Sequence, residues 1–277
     1  MVDINKIAIL GSGSMGTAIL AGLLKAGFDA ASVSVSTNSV ASANGLAERF
    51  GVTAHPIEAN SQANANAVGG ADVVLVAVKP KFVPEVLREV SASLAPNALV
   101  ISVAAGVTTA TMEAAVPESV AVIRSMPNTP AIVGRGVTGV AKGSRATDDQ
   151  LRRAVSLFET VGTVVVLPEN QIDELGTVSG SGPAYVYFLM EQFTAAAQGM
   201  GFDSATARQL VEETFLGASL LLAAGDKSPE ELRRQVTSPN GTTERAIAKL
   251  QEGNLAELFA TATAAALARS KELAAGA

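Results

Sequence analysis

The sequence predicts an α/β fold: a doubly wound parallel sheet over residues 1–166, followed by an all-helical half over residues 167–277. Three observations predict it. Apolar, β-branched runs alternate with helical patterns through the first half, the pattern of a parallel sheet covered on both faces. A glycine-rich turn joins the first apolar run to the first helical pattern. Beyond about residue 168 the strand signal disappears and helical periodicity runs to the end.

The predicted strands, in order, are residues 6–10 (KIAIL), 33–36 (VSVS), 73–78 (VVLVAV), 99–103 (LVISV), 121–124 (AVIR), 136–141 (GVTGVA) and 163–167 (TVVVL). Helices are predicted between them at 14–26, 41–49, 83–93, 109–115 and 148–160. Residues 60–67 (NSQANANA) read as a polar loop or a frayed helix. In the second half, helices are predicted at 172–178, 183–200, 203–224, 229–237, 244–251 and 255–275. Ser228, Pro229 and Glu231 spell a capping box with proline at the first helical position, and Asn254 with Glu257 repeats the spacing. These helices are rich in Ala, Leu, Gly and Thr, and a small all-helical domain leaves broad apolar faces uncovered. A homodimer through the C-terminal helices is expected, with further assembly into a larger homo-oligomer open.

Composition removes whole classes of chemistry. The 277 residues include no cysteine and one histidine, His55. That excludes a thiolate nucleophile, a CxxC redox pair and Cys/His zinc sites, and no metal site is expected. His55 lies far along the chain from every other candidate and reads as a surface or structural residue. The net charge of −6 argues against nucleic-acid binding. No apolar run approaches the roughly 18 residues of a membrane span, and the opening MVDINKIAIL lacks the pattern of a secretory leader, so a cytoplasmic protein is expected.

The glycine turn reads Gly11-Ser12-Gly13-Ser14-Met15-Gly16. A GxGxxG string by itself is weak, but here it follows a strand and opens a helix, the context of a Rossmann-type dinucleotide site. The first glycine makes the turn, the second admits a pyrophosphate and the third brings helix and strand together. The second strand ends Ser36-Thr37-Asn38, with no carboxylate before Glu48 to accept from a ribose 2′-hydroxyl. NADP(H) is therefore favoured, while the absence of an arginine there leaves NAD(H) open. Val76-Ala77-Val78-Lys79-Pro80 and Ala104-Ala105 leave two further strands at the ligand-binding edge. Lys79 suits a catalytic, cofactor or helix-end role alike.

In the helical half, residues 236–243 (VTSPNGTT) form a turn feeding a helix, with Thr242 or Thr243 expected at the N-cap. Hydroxyls and unpaired N–H groups at a helix start suit a small carboxylate. With that loop in view, the chain resembles the pyrroline-5-carboxylate reductase family over essentially its whole length. The likeness rests on GSGSMG, AVKP (77–80), SVAAGVT (102–108), RSMPNTP (124–130), SGSGPAY (179–185) and VTSPNGTT, in that order. The commoner family form of the last motif has glycine where Asn240 stands, and asparagine tolerates left-handed φ.

The resemblance implies reduction of 1-pyrroline-5-carboxylate to proline by NAD(P)H, the last step of proline synthesis. It implies substrate binding by Ser238, Asn240, Gly241, Thr242 and Thr243, with Thr243 near the ring nitrogen and ranked first as catalytic, Ser238 second. It also implies cofactor contacts at Ser36, Asn64, Ala77, Lys79 and Ala105, and an interlocked dimer. Two rival readings stay open from the residues: reduction of another imine or keto acid on the same plan, and a noncatalytic NADP-binding regulator.

Overall fold

The structure is a computed structural model that describes residues 4–274. Its contacts divide the chain into one compact unit holding residues 4–181 and 266–274 and a second, Gly182–Ala265. By contacts the division falls at Gly182, and residues 266–274 of the last helix group with the first unit.

The first unit is built on eight strands: β1 (Ile7–Leu10), β2 (Val33–Thr37), β3 (Thr53–Pro56), β4 (Val73–Val76), β5 (Leu99–Ser102), β6 (Ala121–Met126), β7 (Gly136–Lys142) and β8 (Gly162–Val166). Their order across the sheet is β3-β2-β1-β4-β5-β6-β7-β8. The helices between them are α1 (Ser14–Lys25), α2 (Val40–Phe50), α3 (Ala63–Val68), α4 (Val83–Val90), α5 (Thr109–Glu113) and α6 (Asp148–Glu159). Every strand predicted from sequence is present within a residue or two.

Three features differ from the expectation. β3 (TAHP) carries His55 and was not anticipated, and residues 63–68 of the polar segment form α3. The sheet is not wholly parallel, because β7 runs antiparallel to β6. The link between them is too short for a parallel crossover, which needs about a dozen residues. β8 then pairs parallel to β7.

Alternation along the strands makes two cores, one per sheet face. On β1, Ile7 and Ile9 join the layer that includes Leu20 and Leu23 of α1 and Leu157 and Phe158 of α6. Ala8 and Leu10 join the opposite layer, with Val83 and Leu87 of α4 and Met112 of α5. All four β1 residues are fully buried, which is why this strand reads as an unbroken apolar run.

The helical half contains α7 (Ile172–Leu175), α8 (Gly182–Gly199), α9 (Ser204–Ala223), α10 (Pro229–Gln235), α11 (Thr242–Glu252) and α12 (Leu255–Ala274). A π turn at Gly176–Gly180 replaces the end of the helix expected at 172–178. The predicted extension of the last helix to Ala275 lies outside the described residues. Within the second unit, Asp203 caps α9 by accepting from the N–H groups of Ala205 and Thr206. The Ser228–Glu231 capping box of α10 is complete. Asn254 pairs with Glu257 by donating its side-chain amide at 2.6 Å. The rings of Tyr185 on α8 and Phe259 on α12 meet edge to face at 6.2 Å.

Candidate active site

The parallel register brings the predicted cofactor residues to one sheet edge. Leu10 pairs with Ser36 on one side and Val76 on the other, Val76 pairs with Ser102, and Ser102 with Arg124. Strands β2, β1, β4 and β5 thus end within a residue or so of a single row, and Gly11, Asn38, Ala77 and Ala104 lie just beyond it. The strand order reverses between β1 and β4, the switch point at which open α/β sheets bind ligands.

The glycine turn is tied into this edge by backbone hydrogen bonds. Gly11 N–H donates to the Ser36 carbonyl at 3.1 Å, and Ala77 N–H to the Leu10 carbonyl at 2.8 Å. Gly11 has φ +95°, and a Cβ there would lie 2.9 Å from the Ala77 carbonyl oxygen. A Cβ on Gly16 would lie 2.5 Å from the Gly11 carbonyl oxygen. Gly13 behaves differently: it is the N-cap of α1, and a Cβ there meets nothing within 4 Å. Two of the glycines are therefore required by the fold, whereas the third opens onto free space before the uncapped N–H groups of Ser14, Met15 and Gly16. That open face at a helix start fits a dinucleotide pyrophosphate.

Around the cradle, Ser12 donates its hydroxyl to Thr37 Oγ1 at 2.7 Å and so links the turn to the end of β2. Ser36 is 1% exposed, and its hydroxyl has no hydrogen-bond partner among the described residues. Ser39 caps α2, accepting from Ser42 N–H. Val78 is half-buried, Lys79 is exposed at the head of a short 3-10 turn, and Pro80 opens that turn. Ala104 is buried, its N–H donating to Ser102 Oγ, and Ala105 is exposed beside it. Asn64 stands apart from this row: it is buried in α3, and its amide donates to both carboxylate oxygens of Glu89 on α4. His55 accepts or donates at Ser34 Oγ, 2.9 Å away, and burial, then the charge of Lys6, lowers its pKa below 6.5.

Two features of this unit escaped the sequence reading. The first is an ion cluster around a buried arginine. Arg124, 3% exposed, donates to Asp173 on α7 at 2.6 Å and lies 3.7 Å from Glu169. Glu169 in turn accepts from the N–H and hydroxyl of Thr109, both at 2.6 Å. The cluster fixes α7 and the π turn beside Ala105, where a cavity of about 120 Å³ is lined by Ala105, Met126, Thr177 and Ser181 among others. The second is Glu58. Its carboxylate accepts from Val40 N–H at the start of α2, beside the end of β2. Reading TAHP as a strand parallel to β2 would have found it, since the chain beyond Pro56 must then run beside Asn38.

In the second unit, the predicted substrate loop forms a tight turn. Gly241 N–H donates to the Ser238 carbonyl at 3.0 Å. Asn240 adopts φ +58°, the left-handed conformation expected of it. The N-cap of α11 is Gly241, not Thr242 or Thr243 as expected, and it offers no side-chain cap. The reason is the turn itself, which closes one residue earlier and puts the two threonines inside the first helical turn. Glu244 reaches back to accept from Asn240 N–H at 2.9 Å. The N–H groups of Thr242 and Thr243 open the helix without intrahelical partners. Ser238 and Thr242 are exposed and Thr243 is half-buried.

Comparison with known proteins agrees with both halves of this picture. The sequence profile of the pyrroline-5-carboxylate reductase dimerisation family matches residues 169–273. That of the coenzyme F420-dependent NADP oxidoreductases matches residues 6–106. A pyrroline-5-carboxylate reductase of Corynebacterium melassecola is 37% identical over 96% of this chain and 98% of its own length. The chain belongs to the pyrroline-5-carboxylate reductase family. A second member of that family, from Pseudomonas aeruginosa, is also 37% identical, over 97% of both chains. The solved pyrroline-5-carboxylate reductase of Coxiella burnetii superposes with a TM-score of 0.91 at 38% identity, over 98% of this chain and 99% of its own. A Plasmodium falciparum pyrroline carboxylate reductase solved with NADP bound shares the fold, with a TM-score of 0.82 at 24% identity over 99% of both chains. The chain is an oxidoreductase with an N-terminal NADP-binding domain and a C-terminal dimerisation domain. Among the described residues, no helix is long and apolar enough to cross a membrane.

Proposed function

We propose that this protein reduces 1-pyrroline-5-carboxylate to proline in the cytoplasm, with NADP(H) favoured over NAD(H). The observation that carries the reading is the full-length identity with pyrroline-5-carboxylate reductases, which spans both the glycine cradle and the 238–243 loop. A reduced nicotinamide dinucleotide, when bound, supplies a hydride for the imine carbon. The backbone of Gly13 and the N–H groups of Ser14, Met15 and Gly16 hold its pyrophosphate, while Ala77, Lys79, Ala104 and Ala105 line the edge beside it. Ser36, Thr37 and Asn38 serve the adenosine end.

The 238–243 loop takes the substrate. The positive start of α11, with the N–H groups of Thr242 and Thr243 and the hydroxyl of Ser238, binds the carboxylate. Asn240 and Gly241 supply the left-handed turn and the close backbone approach. Thr243 places its hydroxyl at the ring nitrogen, holding the proton there as the C=N electron pair withdraws onto nitrogen. Such chemistry needs positioning more than nucleophilic power, and a well-aligned pair of reactants gains a large effective concentration.

The second unit favours a homodimer. Phe188 (58% exposed), Leu221 (62%) and Leu258 (60%) lie on α8, α9 and α12, and apolar surface of that extent marks an interface. The test is substrate-dependent NADPH oxidation by the purified protein with proline as product, alongside light scattering for mass. Turnover of other imines or keto acids in its place, or cofactor binding without turnover, would refute the assignment. A mass of one chain would refute the dimer.

A further inference from the structure

The corner where β2 gives way to α2 carries a carboxylate that no residue of β2 provides. β2 and β3 run parallel with Thr37 opposite Pro56, so the chain leaving β3 passes beside the chain leaving β2. Two backbone bonds hold it there: Ile57 N–H donates to the Thr37 carbonyl at 2.8 Å and Glu58 N–H to the Asn38 carbonyl at 3.0 Å. The Glu58 side chain then turns onto α2 and accepts from Val40 N–H at 3.0 Å. Backbone and side chain together fix one negative charge at this corner.

In a dinucleotide-binding βαβ unit, this corner meets the ribose 2′ position: a carboxylate accepts from a 2′-hydroxyl and repels a 2′-phosphate. We propose that Glu58 is a cofactor-specificity residue that restrains the preference for NADP(H) and keeps NAD(H) usable. The inference rests on the reading that this sheet edge binds the dinucleotide. Thr37 and Asn38 offer hydroxyl and amide donors to a phosphate, and Glu58 sets a charge against them. A carboxylate at a helix start also stabilises that helix through its dipole. The two roles separate because glutamine keeps an acceptor for Val40 N–H and loses the charge.

The test is a direct binding titration of NADPH and NADH on the full chain without imine substrate, followed by cofactor fluorescence. Glu58→Gln is expected to tighten NADPH about five- to twentyfold, the scale of one like charge removed at short range in a solvated corner. NADH affinity should stay within about twofold, and the gain should shrink at high ionic strength. Glu58→Ala, which removes charge and cap together, is expected to move the NADPH:NADH ratio the same way even if α2 is weakened. A ratio that neither variant moves would overturn the proposal and leave Glu58 as a helix cap. Failure of the unmodified protein to bind either dinucleotide would overturn the underlying reading as well.

Discussion

The three glycines of the turn predict opposite outcomes for the same substitution. In Gly16→Ala the new methyl lies 2.5 Å from the Gly11 carbonyl oxygen and 3.2 Å from Ala77 Cβ. The first contact is with backbone, so α1 must move off β1 and β4. Overpacking of this kind costs about 1–3 kcal/mol, of which alanine's better helix propensity returns up to about 1. The net loss is about 1–2 kcal/mol, a fall of roughly 2–8 °C in apparent melting temperature at roughly 2–4 °C per kcal/mol. In Gly13→Ala the methyl meets nothing within 4 Å, and φ −68°, ψ −176° is ordinary extended backbone. Alanine is a poorer N-cap than glycine but also restricts the unfolded chain, and the two effects cancel to within about 0.5 kcal/mol. Its methyl instead occupies the face where the pyrophosphate must approach, and NADPH affinity should fall by about tenfold or more. Melting without cofactor and fluorescence titration with NADPH measure the two quantities separately. Equal destabilisation by both variants, or an unchanged dissociation constant in Gly13→Ala, would refute the division between fold and ligand glycines.

Other consequences are equally open to measurement. Thr243→Ala should lower kcat/KM for pyrroline-5-carboxylate by about 10- to 100-fold, the range of a hydrogen bond to a charged group, with NADPH binding retained; unchanged kcat/KM would remove its hydroxyl from the mechanism. Asp173→Ala leaves the buried Arg124 guanidinium with only the longer contact to Glu169 and should destabilise the first unit by about 3 kcal/mol, read from urea midpoints. His55 should add a pH dependence to stability. Burial and then Lys6 lower its folded pKa below 6.5, so the unfolded chain takes up the proton first as pH falls. That contribution is whole above 6.5 and is lost progressively below it, and His55→Gln should flatten the urea midpoint between about pH 7.5 and 5.5.

What the sequence discloses depends on whether the signal is local. β1, β4 and β5 are buried on both faces and announce themselves as apolar runs. β3 spans four residues at the sheet edge, half of them His and Pro, and exists because β2 offers it a ladder. Nothing within TAHP signals that. Glu58 goes unsignalled for the same reason, since it reaches the end of β2 only through the β2–β3 register. Strand direction is similarly invisible in composition: β7 reads as any other buried strand, and only the short connection from Met126 forces it antiparallel. The Arg124 cluster joins residues 45 to 60 positions apart, with nothing at either end to mark the pairing.

The caps draw the two ligand ends of the proposed reaction together. Where a helix of this protein starts from an extended N-cap, a side-chain oxygen normally closes it: Ser39 on α2, Thr108 on α5, Thr147 on α6, Asp203 on α9 and Ser228 on α10. Among the described α-helices with an extended N-cap, the exceptions are α1 and α11, whose N-caps are Gly13 and Gly241. A serine or aspartate at either would be worth at most a few tenths of a kcal/mol over glycine, so stability alone gives weak reason for or against the exchange. A ligand gives a stronger one. Both helices follow motifs assigned to an anion, the pyrophosphate at Gly13 and the imine carboxylate at Gly241, and a side-chain cap would occupy the N–H groups each anion needs. In the proposed reaction, a chain without cysteine and with a single histidine outside both loops would hold two anionic partners by backbone, leaving the hydride to the cofactor and the proton to a threonine hydroxyl.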